Sequence, residues 1–236
     1  MGIFGRGDES APGTTDVTKV ESGTSGEVSS GAATRMIERL MDIGIDGKGS
    51  FDSAHKVADV ALTGNSGAER AIDAMVRSHL KLAAAGGFVT SVGGFVTLPI
   101  ALPANVLGFY LVATRMVAGI ASIRGHDLRK PEVRSAVLLA LVGADADDLL
   151  KKAGYPSTGG LADLVVQRLP GPALMAVNKA VGFRLLTQVG KKSLPRFGKA
   201  VPLVGGAVGA GVDTFLLTRI ARHARQEFPP KAPSNF

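Results

Sequence analysis

Cysteine and tryptophan are both absent from this 236-residue chain, and aromatic residues of all kinds make up only 5% of it. Without cysteine there are no disulfides, no thiolate metal sites and no cysteine nucleophile. The scarcity of aromatics weakens any reading as a nucleic-acid binder, because base-stacking platforms need them, and no recognised binding module appears. Charge is missing locally: from Leu82 to Thr114, 33 consecutive positions carry none. The start, "MGIFGRGDESAPG", has no apolar core of a secretory signal, so a cytoplasmic location is expected.

What is present is apolar and basic. Hydrophobic residues reach 45% and the net charge is +7, with a mean hydropathy of +0.22 and a pI near 9.9. That is enough apolar material for a real core, and a surface that favours anionic partners. Residues 1–31 differ: rich in Gly, Ser and Thr, they set Arg6 and Lys19 against Asp8, Glu9, Asp16, Glu21 and Glu27, for a net −3. Such a segment buries too little surface to offset its ordering entropy and is expected to be a disordered tail.

Beyond the tail the pattern is helical throughout, with no alternating run of strand length. Helices are predicted near 32–43 and 51–62. The next has Ser66 and Glu69 at capping-box spacing. In it Ala68, Ala71, Ile72, Met75, Val76 and His79 share one face, with Glu69, Arg70, Asp73 and Arg77 opposite. Later helices are predicted to start at Pro131, at Asp145, near Thr158 and after Pro172, and a last one to run over about 205–227. The expected fold is an all-α, compact multi-helix bundle: a domain over 32–228 between the tail and a polar C-terminal segment, 229–236.

The uncharged run decides the architecture. Pro99 and Pro103 divide it, and proline removes a backbone donor and biases the preceding residue away from helix, so "LPIALP" reads as a turn. The first half as a helix is about 25 Å long, short of a hydrocarbon core of about 30 Å. Two arms folded back as an apolar hairpin fit better than one span. Gly86 and Gly93, like Gly87 and Gly94, recur two helical turns apart and would let neighbouring backbones approach. In the second arm Gly108, Arg115, Gly119 and Ser122 form a small-residue stripe. On the last helix Asp213 shares the apolar face of Leu216, Leu217, Ile220 and Ala224. A carboxylate there needs a partner, and Arg115 is the candidate for a buried, structural ion pair.

From residue 168 to 231 eleven Lys and Arg face Asp213 and Glu227, a net +9. "GKKSLPRFGKAVP" interleaves Lys191, Lys192, Arg196 and Lys199 with Leu194 and Phe197; Arg219, Arg222 and Arg225 line the outer side of the last helix. Basic residues mixed with apolar ones suit an anionic membrane surface, at about 1 kcal/mol per well-placed cation. His55, His79, His126 and His223 are scattered, with neither metal-ligand spacing nor a nucleophile elbow nearby, and His79 reads as a core histidine. No metal, cofactor or catalytic residue is assigned.

Three phrases carry a resemblance: "TSVGGFVTLPIALP"; "ASIRGHDLRKPEVRSAVLLAL", with Gly125, Asp127, Pro131 and Val133 as G-x-D then P-x-V; and "VPLVGGAVGAGVDTFLLTRIARHAR". By their order and spacing, over roughly Ser66 to Phe228, the chain resembles the bacterial EcsC family. Arg124 departs from it, standing where the family often has an aromatic, and Asp213 stands where it often has an amide. The resemblance implies a cytoplasmic, membrane-associated helical protein without a settled activity, whose namesake is encoded beside an ABC transporter. The expected function is a non-catalytic accessory protein, peripheral to or shallowly inserted in the cytoplasmic face of the inner membrane, with anionic lipids and a transporter or other protein as partners. The alternative is a soluble helical module holding a lipid or other apolar ligand; a hydrolase is the third reading.

Overall fold

A helix uncharged over 33 positions has no polar face to show to water, so it must double back or be covered. It does both. The computed structural model describes residues 31–49, 51–92, 98–143, 145–152, 154, 169–193 and 202–231, which are all-helical and without a strand. Helix α1 covers 31–45 and closes with a π-helical segment, Leu40–Ile45. There follow α2 (Ala54–Thr63), α3 (Ala68–Val92), α4 (Leu98–Ile123), α5 (Pro131–Val142), α6 (Asp145–Lys152), α7 (Gly171–Ser193) and α8 (Pro202–Glu227).

The uncharged run is thus two helices, α3 and α4, that separate between Val92 and Leu98. Their register shows that they are antiparallel. Arg115 of α4 meets His79 of α3, Gly119 lies against Met75, and Arg124 reaches Glu69. Each step forward along one helix is a step back along the other. One expectation is corrected: "LPIALP" is not the turn. Pro99 is the second residue of α4 and Pro103 the sixth. In the first turn a proline has no intrahelical N–H bond to lose and its φ is already helical, so only Pro103 forfeits a backbone hydrogen bond. Gly93 and Gly94 lie outside the described residues; Gly86 and Gly87 belong to α3.

The middle helix is the core. From Tyr110 to Ala121 every residue of α4 except Val112 and Arg115 is buried, including Thr114, whose hydroxyl donates to the Tyr110 carbonyl at 2.6 Å. Helix α5 is buried almost all round from Val133 to Val142, and Pro131 opens it as predicted. Helices α3 and α8 make the most extensive helix contact and both touch α4; α2 packs on α3 and α4, and α7 on α5 and α6. On α3, Ala71, Ile72, Met75, Val76 and His79 are buried as their spacing predicts, whereas Ala68 is exposed. The capping box is not used in the expected way: α3 starts at Ala68, and the Glu69 carboxylate goes to Arg124. The expected helix start near Thr158 and the tails 1–30 and 232–236 fall outside the described residues.

Gly182 and Gly119 differ in what they face across a helix contact. A Cβ on Gly182 of α7 would stand 2.7 Å from the Ala33 carbonyl oxygen, so α1 sits on α7 at backbone distance. A Cβ on Gly119 would crowd the Sδ and Cε of Met75, at 2.5 and 3.0 Å, with the Ala54 carbonyl oxygen at an ordinary 3.8 Å. Backbone cannot retreat but a thioether swings aside. Gly182→Ala should destabilise the fold by about 1–3 kcal/mol, and Gly119→Ala should stay within about 1 kcal/mol of the parent, since alanine's helix propensity offsets the crowding. Urea midpoints of the two variants check the order.

Candidate docking surface

One end of the bundle is held by a polar knot built on Arg124, immediately after α4. Its side chain is 9% exposed. Nη1 donates to the carbonyls of Arg225 (2.6 Å) and Phe228 (2.9 Å), capping the C-terminus of α8, and Nη2 donates to Glu69 Oε1 at 2.7 Å. A cation on the unpaired last-turn carbonyls satisfies them and complements the helix dipole. The chain then folds back: the Lys231 amide donates to the Arg124 carbonyl, His126 Nε2 donates to the Pro229 carbonyl at 2.9 Å, and its ring meets the buried Phe228 edge-on. The folded domain therefore reaches Lys231, past the expected boundary at 228. In the same knot Arg225 Nη2 donates to Asp73 at 2.6 Å, holding that carboxyl below its usual range, and Nη1 lies 3.8 Å from Glu69. Arg225, expected to contact headgroups, is engaged inside the fold.

Arg115 and Asp213 do not pair. The antiparallel register brings Arg115 to His79 instead, its Nε donating to His79 Nε2 at 3.3 Å. Met75's carbonyl, 2.9 Å from Nδ1, can only accept. That fixes the proton on Nδ1 and leaves Nε2 free to accept. Burial, against the Met75 bond and helped by the Arg115 charge, pulls the His79 pKa down to about 4. The guanidinium also lies over the Phe51 ring, 5.2 Å from its centre. Burial lowers its own pKa, and Asp52 opposes that. Asp213 is half-buried, its pKa raised by desolvation, and it has no ion pair among the described residues.

The exposed faces of α3 and α8 carry charge in bands. On α3 Arg77, Lys81, Leu82 and Ala85 are exposed; on α8 Val212, Phe215, Arg219 and Arg222 are. Arg219 lies over the Phe215 ring at 6.0 Å. Lys191 and Lys192 belong to the last turn of α7, while Arg196, Phe197 and Lys199 lie outside the described residues. Sequence reasoning passed over Arg124 as a cap, although its position one residue past a helix and before a G-x-D turn was a usable signal. Lys81, the cation bordering the uncharged run, was passed over as well.

Catalytic geometry is weak. Ser122 Oγ and His55 Nδ1 are 3.2 Å apart, and His55 Nε2 lies 3.6 Å from Asp59. The second distance is too long for a hydrogen bond, His55 and Asp59 are 74% and 58% exposed, and the amides just past Ser122 already donate to helix carbonyls. Those amides are therefore not free to receive a developing oxyanion. Among the described residues no cluster of three ligands suits a metal ion, and no helix is long and apolar enough to cross a membrane. Residues 32–229 match the EcsC protein family. No curated protein and no solved structure matches the chain.

Two outcomes are expected. Because the folded His79 pKa, about 4, lies below the ordinary 6.5, the unfolded chain takes up a proton first as pH falls. This group's contribution is then full above about pH 6.5 and declines by about 3 kcal/mol in all by pH 4. Denaturation across that range should show the slope and His79→Gln should flatten it; an imidazole titrating near 6.5 by NMR would contradict it. Arg124→Ala should lower stability by about 2–4 kcal/mol, leaving two carbonyls uncapped. Arg225→Ala, with partly solvated partners, should lower it by under about 1 kcal/mol in the same measurement.

Proposed function

The chain belongs to the EcsC protein family, and from that premise we propose that it is a non-catalytic accessory protein that docks on the cytoplasmic face of the bacterial membrane. The observation that carries the reading is the separation of charge along the bundle. One end is the polar knot of Glu69, Asp73, Arg124 and Arg225. Toward the other, α3 beyond Lys81 and α4 before Arg115 carry no charge at all, and α8 before Arg219 carries only Asp213. Large apolar side chains stand exposed at the border: Leu82 at 43%, Val212 at 49% and Phe215 at 58%. Apolar side chains that remain in water beside cations suit a lipid interface, where burial of the first and Coulomb attraction of the second act together. On this reading the hairpin of α3 and α4 and the basic stretch with Lys191, Lys192, Arg196 and Lys199 are further candidates for lipid contact, by their sequence alone. A transporter or another membrane protein is the further partner this reading allows.

Flotation with vesicles tests it. The protein should float with vesicles rich in anionic lipid, lose most of that binding in about 0.5 M salt as screening shortens the Debye length to a few ångströms, and stay behind with neutral phosphatidylcholine vesicles. Failure to float, with lipid co-purifying in the soluble protein, would favour the soluble lipid-binding module instead.

A further inference from the structure

Helices α3 and α8 run in opposite directions, so nothing local aligns their sequences. The ends that meet are the start of α3 and the end of α8, where Arg225 contacts Asp73 and Glu69. From that contact toward the hairpin, the exposed face of α3 passes Arg77 and Lys81 and turns apolar at Leu82. Going back along α8, the exposed face passes Arg222 and Arg219 and turns apolar at Phe215 and Val212. Leu82 is nine residues beyond Asp73 and Phe215 is ten before Arg225, so at 1.5 Å per residue the two changes of polarity fall at one level. Arg115, opposite His79, is the last charge of α4 at that level too. Side by side on α4, α3 and α8 turn their exposed faces away from it. They make one surface with a row of cations beside an apolar strip.

Positive charge is in excess on that surface. Its acids, Glu69 and Asp73, are held by Arg124 and Arg225. Arg77, Lys81, Arg219 and Arg222 are in no ion pair among the described residues. Asp213, the one acid in this half of α8, is half-buried beside the strip. A row of free cations next to exposed Leu82, Val212 and Phe215, with Arg219 stacked over Phe215, complements a phosphate layer above an acyl layer. Resting on the membrane-docking reading, we propose that the α3–α8 face is the docking surface. It lies flat on an anionic bilayer, with Leu82, Val212 and Phe215 entering the interface and Arg77, Lys81, Arg219 and Arg222 on the headgroup phosphates.

The chain has no tryptophan, so a single introduced one reports its own surroundings. Phe215→Trp and Met175→Trp, the second on the exposed side of α7, are each mixed with vesicles of phosphatidylglycerol and phosphatidylcholine, with and without brominated acyl chains. Blue-shifted, bromine-quenched emission from the first and unchanged emission from the second are expected. Replacing Arg77, Lys81, Arg219 and Arg222 together by glutamine should weaken vesicle binding at least about tenfold while the far-ultraviolet circular dichroism stays unchanged. If the parent protein binds these vesicles but the Phe215→Trp emission does not respond, or both tryptophans respond alike, the assignment of the face is wrong and membrane docking stands. A parent that does not bind overturns both. A concentration-dependent blue shift without vesicles would show the face to be a contact between copies of the chain, which also overturns the assignment.

Discussion

The guanidinium of Arg124 is the constraint on which the rest of the bundle rests. It joins the start of α3, the end of α4 and the end of α8 through one carboxylate and two carbonyls. A planar fork with fixed donors tolerates little sliding of its partners. With three helix ends held there, the position of every later residue along those helices follows from its distance in sequence. The meeting of His79 with Arg115, the contact of Gly119 with Met75, and the common level of Lys81, Arg115 and Arg219 are consequences of that anchoring.

The bundle separates two kinds of burial. Helices α4 and α5 are surrounded by neighbours and carry almost nothing that needs water. Helices α3 and α8 form an outer layer with one wet side. On that wet side the acids occur near the knot and are neutralised there, which leaves a positive surplus further along. Asp213 is the exception, and the rise of its pKa by desolvation marks it as a group placed against its own solvation.

Much of this architecture was legible in the sequence. The period of α3, the proline start of α5, the folding back of the uncharged run and the core character of His79 follow from local rules that tertiary packing reinforces. What was illegible depended on register. Arg115 and Asp213 each needed a partner by composition, but which partner is set by how two helices slide past one another, and no pattern within either helix records that. Gly182 was invisible for a similar reason: its neighbour, Ala33, comes from a helix nearly 150 positions earlier. Position alone gave Pro99 and Pro103 to a turn, whereas the start of a helix suits them equally well. Spacing alone puts Arg77 on the outer side of α3 and says nothing of Lys81, and only the antiparallel placement of α8 gives the two cations company.

The proton on His79 Nδ1 has an electrostatic result. Arg115 meets a neutral acceptor, so its hydrogen bond is satisfied while its unit of charge is not cancelled there. In a poorly polarisable interior that field decays slowly with distance. The partly buried guanidinium therefore keeps its charge at the border of the uncharged half of the bundle, where Asp52, not His79, is the group that opposes it.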